Sequence, residues 1–406
     1  MNIYLSKQPI FDAHGNTCCY ELLYRAAIDT LNSDGEYDRS VESRSYKQAA
    51  NFFTDNEQRI FGKKHCYMRF SPEMLKRGFA EIFSPEKLTI EITLEALAES
   101  GVVPKISELK RMGYDIAIDN FLYSEDKKEL FKLADVVRFD VNSDADRIKF
   151  TVEKCHESGK HVMAADVETA DEFETARDMG IDLFEGFFFA KPVLETKRSG
   201  GPMIKNFLQI LALLYVPDPD MEQIAAIIST DPVLTIRLLR LINKLCEDTG
   251  NTISTVKQAL IMLGLDNLKE WIYLVGLQRL NRNSPNELLR VALFRAGFCE
   301  RLSKIAPGIG AKSKEMYLMG LISIVTGTSG AALADALKEL PVSDEIRSGL
   351  MGNGGIYSDI YNLSFSVERG FWDDVDKYAA ACGITPQTLC TEYMNTLDFI
   401  SRFNGL

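Results

Sequence analysis

Residues 88–118 read LTIEITLEALAESGVVPKISELKRMGYDIAI, and the rhythm of this stretch sets the architecture of the first half of the chain. A short β-rich run, Leu88–Thr93, is followed by an amphipathic helical run, Pro104–Met112, and then by a second β-rich run, Asp115–Ile118. Gly113 stands between the helix and the second run, where a helix hands over to a strand through a left-handed residue. The same unit recurs on both sides. Strands are expected at Cys66–Phe70, Val136–Asp140 and His161–Ala164, and helices at Lys127–Leu133, Asp146–Ser158 and Ala170–Met179, with Gly159 and Gly180 as further stops. Alternation of β and α with short connections implies a parallel sheet covered by helices. No glycine-rich dinucleotide turn is present, which favours a closed (β/α) TIM-like barrel over an open Rossmann sheet.

The second half has almost no strand signal. Helices are expected at Met221–Ile228, Pro232–Cys246, Ser254–Leu263, Leu265–Leu280, Glu287–Ile305, Lys312–Val325 and Ala331–Leu340. Asp231-Pro232 and Ser254 are N-cap and first-turn signals. Val291, Phe294, Phe298, Leu302 and Ile305 share one helical face. The fold class is therefore α/β plus all-α, a barrel followed by a helical bundle. A length of 406 residues suits two domains. The polar, glycine-rich run Glu195–Pro202 reads as the linker, which gives domains at 1–200 and 201–406.

Composition narrows the function classes. Hydrophobic residues make up 46% and charged residues 26%, which excludes a disordered or low-complexity chain. The net charge is −12, and residues 1–200 carry −9 of it, with 27 Lys and Arg against 36 Asp and Glu. A phosphate-reading surface needs clustered cations, so nucleic acid is not an expected partner. The eight cysteines form no Cys-x-x-Cys and no zinc spacing, so free thiols in a reducing compartment are expected. No signal-peptide pattern opens the chain, and no apolar run approaches the roughly 20 residues that span a bilayer. A cytoplasmic protein with no membrane partner follows.

In a (β/α) barrel the chemistry sits at the carboxyl ends of the strands. Glu21, Glu91, Asp119, Asp140 and Glu168 lie on or just beyond candidate strands. Acidic groups converging on one mouth can bind Mg²⁺ or Mn²⁺, and two such ions can activate water for phosphodiester cleavage. Acidic residues at strand ends also commonly cap the next helix or pair with Lys and Arg.

Several segments carry a resemblance. Gln8-Pro9-Ile10 and Tyr20-Glu21-Leu22-Leu23-Tyr24-Arg25 are followed in order by Glu91-Ile92-Thr93, Asp119-Asn120-Phe121, Arg138-Phe139-Asp140, Val167-Glu168-Thr169 and Gly186-Phe187-Phe188-Phe189-Ala190-Lys191-Pro192. Over roughly residues 1–195 the chain resembles the EAL family, whose members hydrolyse the bacterial second messenger cyclic di-GMP. The resemblance implies Glu21 and Glu91 as metal ligands and Arg25 as a phosphate contact. It also exposes replacements. Arg69 stands where the family has an asparagine ligand, and a guanidinium has no acceptor with which to ligate a cation. Leu94 replaces a glutamate, and Asn120 replaces the second of two paired aspartates. Arg138 takes the place of the lysine that positions water, and Ala165 that of another acidic residue. Glu185 replaces a glutamine. Asp166, beside Ala165, could compensate only if the chain shifted.

The helical half resembles the HDOD domain through Ile224–Asn243 and Ile253–Leu265. HDOD domains are relatives of the HD phosphohydrolases without the metal-binding His-Asp pair. Here Ser323 and Ile324 occupy that place, and all four histidines (His14, His65, His156, His161) lie in the first half. Loss of several metal ligands together should cost orders of magnitude in rate. The expected protein is a non-enzymatic signalling regulator that contacts other signalling proteins. It is expected to have no catalytic residue, metal or cofactor, and a vestigial pocket of Glu21, Arg25, Arg69, Glu91, Asp119, Asn120, Arg138, Asp140, Ala165 and Glu168. The replacements argue against retained cyclic di-GMP binding. Two alternatives remain: a receptor that binds cyclic di-GMP without hydrolysis, and a weak residual cyclic di-GMP phosphodiesterase.

Overall fold

A computed structural model describes residues 3–26, 39–62, 64–188, 201–214, 218–245, 253–269, 271–272, 286–323, 337 and 342–401. The chain divides into two compact units. The first comprises Met1–Phe189, Phe365–Lys377 and Thr385–Asp398, and the second comprises Ala190–Ser364, Tyr378–Ile384 and Phe399–Leu406.

The first unit is a closed barrel of eight strands in sequence order. They are β1 (Ile3–Asp12), β2 (Thr17–Ala26), β3 (Cys66–Arg69), β4 (Leu88–Thr93), β5 (Asp115–Asp119), β6 (Val136–Asp140), β7 (His161–Ala165) and β8 (Leu183–Glu185). Strands β2 to β8 pair in parallel, as alternation of β and α requires. The expected all-parallel sheet is corrected at β1, which runs antiparallel to both β2 and β8. The cause is local: β1 and β2 are joined by a tight turn, which only an antiparallel pair accommodates. The Asp12 carboxylate holds that turn by accepting from the backbone N–H of His14 and Asn16 at 2.8 and 2.9 Å.

Barrel strands are covered on both faces, so they read as nearly continuous buried runs. In β4 the residues Leu88, Thr89, Ile90, Glu91 and Ile92 are all buried. A glutamate inside such a run must be compensated by a partner. Local signals set the boundaries of the elements. Ser71 caps Pro72–Lys76, and Thr169 with Glu172 forms a capping box on Ala170–Asp178.

Gly186, just after β8, is the tightest backbone approach in the barrel wall. Its φ is +144°, and a Cβ there would stand 2.1 Å from the Val167 carbonyl oxygen. The neighbouring pairing, Val167 N–H to Glu185 O at 2.9 Å and Phe188 N–H to Val167 O at 3.1 Å, leaves no slack. Gly186→Ala is expected to cost roughly 4 kcal/mol or more in urea unfolding. A loss below about 1 kcal/mol contradicts this packing.

The second unit is helical in its described residues, with helices Met221–Ser229, Pro232–Leu245, Val256–Leu263, Asn286–Ile305 and Ser313–Ile322 close to the expected spans. Asp231 accepts from Leu234 N–H at 3.1 Å, and Thr255 caps the next helix. Gly320 lets Ser313–Ile322 lie directly on Asn286–Ile305, since a Cβ at Gly320 would meet the Arg295 carbonyl oxygen at 2.4 Å. The linker 195–200, most of the expected helices Leu265–Leu280 and Ala331–Leu340, and Ile324 lie outside the described residues. Gly201–Leu214, Asp344–Leu350, Gly355–Arg369, Trp372–Ala381 and Pro386–Ser401 are helices that the apolar spacing had not separated from their surroundings.

Candidate functional site: the barrel mouth

Five charged side chains from five strands meet inside the barrel. Glu21 (β2), Glu91 (β4), Asp119 (β5), Arg138 (β6) and Glu185 (β8) are all buried. Arg138 is the hub. It donates from Nε and Nη2 to Glu185 Oε2 at 3.0 and 2.7 Å. Its Nη1 lies 2.8 Å from Asp119 Oδ1 and 3.5 Å from Glu91 Oε1, and its Nη2 lies 3.9 Å from Glu21 Oε2. Arg69, at the end of β3, forms a second bridge, donating from Nε to Glu91 Oε1 at 2.7 Å and from Nη2 to Asp119 Oδ2 at 2.6 Å.

Four carboxylates against two guanidiniums leave an acidic excess in a low-dielectric space, and the proton affinities follow. Burial, reinforced by Glu185 and Glu91, holds the Glu21 carboxyl well above its ordinary value against the pull of Arg138. Burial also raises Glu91, although Arg138 and Arg69 oppose it. Burial pushes Glu185 up as well, but Arg138 and the bond shared with Glu21 outweigh it and hold the group below its usual range. Glu21 Oε2 is buried with no hydrogen-bond partner.

This arrangement carries a sign for stability. A carboxyl raised in the folded state contributes stability at low pH, and the contribution is lost as pH rises through the folded value. Glu21→Gln keeps the neutral shape without the titration. The variant and the parent should be equally stable below the unfolded carboxyl value of about 4.3, and the variant should gain on the parent as pH rises. Urea midpoints across pH 4–8 check this, and a gap that shrinks with rising pH contradicts it.

The other expected pocket residues divide. Asp140 is exposed and caps its own turn, accepting from Asn142 N–H at 2.7 Å. Glu168 turns away from the hub to Arg369 Nη1 at 2.8 Å. Asn120 is exposed, Ala165 is buried, and Arg25 bonds to Asp373 and Asp376 rather than to the central carboxylates. Glu185 was not in the expected set, although its place beside the constrained Gly186 marks it. Asp166 was expected to compensate only if the chain shifted, and the structure places it on the wall of the mouth cavity. Asn120 and Asp166 adopt φ of +56° and +58° just past β5 and β7, the left-handed region that Asn and Asp tolerate best. Asp166 lines the mouth cavity with Glu21, Arg69, Arg138 and Glu185, and burial raises its carboxyl even against Arg138. The cavity measures about 790 Å³.

A pair of divalent cations does not fit this donor set. The oxygens that would ligate them face guanidiniums, and Arg138 stands at the centre of the four carboxylates. Among the described residues no group of three or more His, Cys, Asp or Glu is arranged to hold a metal ion. In the second unit Ser323 is buried, donating to Gly320 O at 2.6 Å and accepting from Arg295 Nη1 at 3.2 Å.

Residues 47–192 match the EAL domain family model, and residues 202–327 match the HDOD domain model. An EAL match is thus followed along the chain by an HDOD match. Two curated relatives extend along nearly all of the chain. YuxH of Bacillus subtilis, named an uncharacterized protein, is 25% identical over 382 residues, 92% of each chain. CdgJ of Vibrio cholerae, named a cyclic di-GMP phosphodiesterase, is 25% identical over 413 residues, 99% of this chain and 93% of its own. Among solved structures, Klebsiella pneumoniae BlrP1 with calcium and cyclic di-GMP aligns at 20% identity and a TM-score of 0.37, covering 47% of this chain and 56% of that one.

These findings correct three expectations. A non-enzymatic regulator was expected, with no phosphodiesterase activity and without cyclic di-GMP. The EAL match and a relative of the same architecture named a phosphodiesterase point the other way. The physical reason lies in the mouth. Loss of metal ligands is not loss of the whole site, because Arg69, Arg138 and Asp166 still line one cavity. Among the described residues no helix is long and apolar enough to cross a membrane.

Proposed function

We propose that the EAL barrel binds cyclic di-GMP and acts as a slow cyclic di-GMP phosphodiesterase. The observation that carries the proposal is the mouth: cations and a raised carboxyl share one cavity, in a chain similar from end to end to a protein named for this activity. Phosphodiester hydrolysis needs positive charge on the phosphate oxygens and a base for the attacking water. Arg69 is nearly half-exposed toward the cavity and offers a planar fork suited to phosphate. Arg138 neutralises the floor beneath it. Asp166 is the base: it stands on the cavity wall, and partial burial raises its carboxyl above the ordinary value. The water oxygen bonds to phosphorus, one bridging P–O bond breaks, the water proton passes to Asp166, and the departing ribose oxygen takes a proton from solvent. The product is a linear dinucleotide with a terminal phosphate. No step is assigned to a metal, because the carboxylates are already engaged by arginine. Slow turnover follows, since guanidiniums alone carry the charge that develops.

The residues that contact ligand and water on this reading are Arg69 and Asp166, while Arg138 with Glu21, Glu91, Asp119 and Glu185 sets the field around them. A module boundary near residue 200, between the two family matches, is part of the same proposal. So is a cytoplasmic setting, supported by the free thiols of the described cysteines. The test is calorimetric titration of the full chain with cyclic di-GMP, paired with chromatography of the mixture with and without Mg²⁺ or Mn²⁺. Saturable binding and slow formation of linear dinucleotide are expected. Absence of both overturns the proposal.

A further inference from the structure

The cavity at the barrel mouth is not walled by the barrel alone. Gly370, Phe371 and Trp372 line it together with Arg369, from a segment about 180 residues beyond the end of the EAL match and outside the HDOD match. That segment belongs to the barrel's own compact unit. It is fixed to the rim by several independent contacts. Ser6 Oγ and Gln8 Nε2 both donate to the Glu368 carbonyl oxygen, at 3.0 and 3.1 Å. Tyr4 donates its hydroxyl to Asp376 at 2.5 Å, and Trp372 stacks on the Tyr4 ring with centroids 5.8 Å apart and planes 12° from parallel. Arg25 bridges to Asp376 and Asp373. Gly370, at φ +69°, brings the chain so close that a Cβ there would meet Leu23 Cδ1 at 2.7 Å.

The segment presents Phe371 to the cavity wall. It is a large aromatic residue, 50% exposed, on a cavity that also bears Arg69 and Arg138. Arginines that hold a phosphate do not hold a base, because phosphate contact carries no base information. A flat apolar ring does, since every base has a π-face to stack on it. We infer that Phe371 is a base-stacking residue of the nucleotide site, and that the segment Arg369–Asp376 is a fixed wall of that site. The inference rests on the reading of the mouth as a cyclic di-GMP site and assigns it a purine contact from outside the EAL match.

A wall and a competing strap make opposite predictions at Asp376. If the segment is a wall, freeing it from Tyr4 and Arg25 weakens ligand binding. If its carboxylates stand in for phosphate on Arg25, freeing it tightens binding. The experiment is titration of the full chain with cyclic di-GMP for the parent, Phe371→Ala, Phe371→Trp and Asp376→Asn, with thermal unfolding of each. Phe371→Ala is expected to weaken binding about tenfold, within the range of single-base stacking, while Phe371→Trp retains affinity. Asp376→Asn is expected to weaken binding severalfold. Both substitutions of the exposed Phe371 should leave the melting temperature unchanged. Parent-like binding by Phe371→Ala, or tighter binding by Asp376→Asn, overturns the inference and leaves the phosphodiesterase reading standing. A parent chain that does not bind cyclic di-GMP overturns both.

Discussion

Arg138→Ala is expected to destabilise the barrel by about 3–5 kcal/mol, the loss typical of removing one partner from a buried ion cluster. Arg138 touches all four central carboxylates, whereas Arg69 reaches only Glu91 and Asp119. Without the hub, Glu185 has no cation within bonding distance and Glu21 keeps its unpartnered oxygen. Arg138→Lys preserves the charge but not the fork that spans Glu185 and Asp119, so an intermediate loss is expected. The deficit also has a pH signature. Arg138 holds Glu185 below its ordinary value, and that contribution is present above the unfolded carboxyl pKa and lost as pH falls. The gap between parent and Arg138→Ala should therefore be widest near neutrality and should close on acidification. Urea unfolding at several pH values measures it. A loss under 1 kcal/mol at neutral pH would show that Arg138 is not what neutralises the carboxylates.

Asp166→Asn is expected to reduce turnover of cyclic di-GMP by at least about 100-fold, the lower end of what a positioned general base contributes. Affinity should change little, because the phosphate is held by guanidiniums and the substitution preserves shape. Asparagine also tolerates the left-handed backbone at this position, so the fold should be retained. The activity of the parent should rise with pH through the raised Asp166 pKa, since the base acts when ionised. An Asp166→Asn variant with parent turnover removes this residue from the chemistry.

The architecture was largely legible where the pattern was local. Strands β3 to β7 and the helices between them follow from β-rich runs punctuated by Gly113, Gly159 and Gly180. The first hairpin was not, because β1 buries polar side chains whose partners are far along the chain. Ser6 and Gln8 bond to the Glu368 carbonyl, and Lys7 Nζ donates to the Ile60 carbonyl at 2.9 Å. No periodicity announces such bonds. Strand β8 is three residues long, too short for an apolar pattern to register.

The site was legible in part for the same reason. Glu21, Glu91 and Asp119 were placed by their strand positions and Arg69 and Arg138 by the EAL resemblance, and the structure brings them together. Asp140 and Glu168 sit at equivalent positions, yet local capping takes one and Arg369 takes the other. Asp166 enters through a single left-handed residue, a backbone choice that side-chain spacing cannot reveal. The wall carrying Phe371 depends on contacts between residues more than 340 positions apart.

Chromatography of cyclic di-GMP incubated with the full-length chain tests the account most directly, with Asp166→Asn as the paired control. The account predicts slow accumulation of linear dinucleotide by the parent and at least a 100-fold slower appearance with the variant. Intact cyclic di-GMP after prolonged incubation with the folded parent, in the presence and absence of divalent cations, would contradict it.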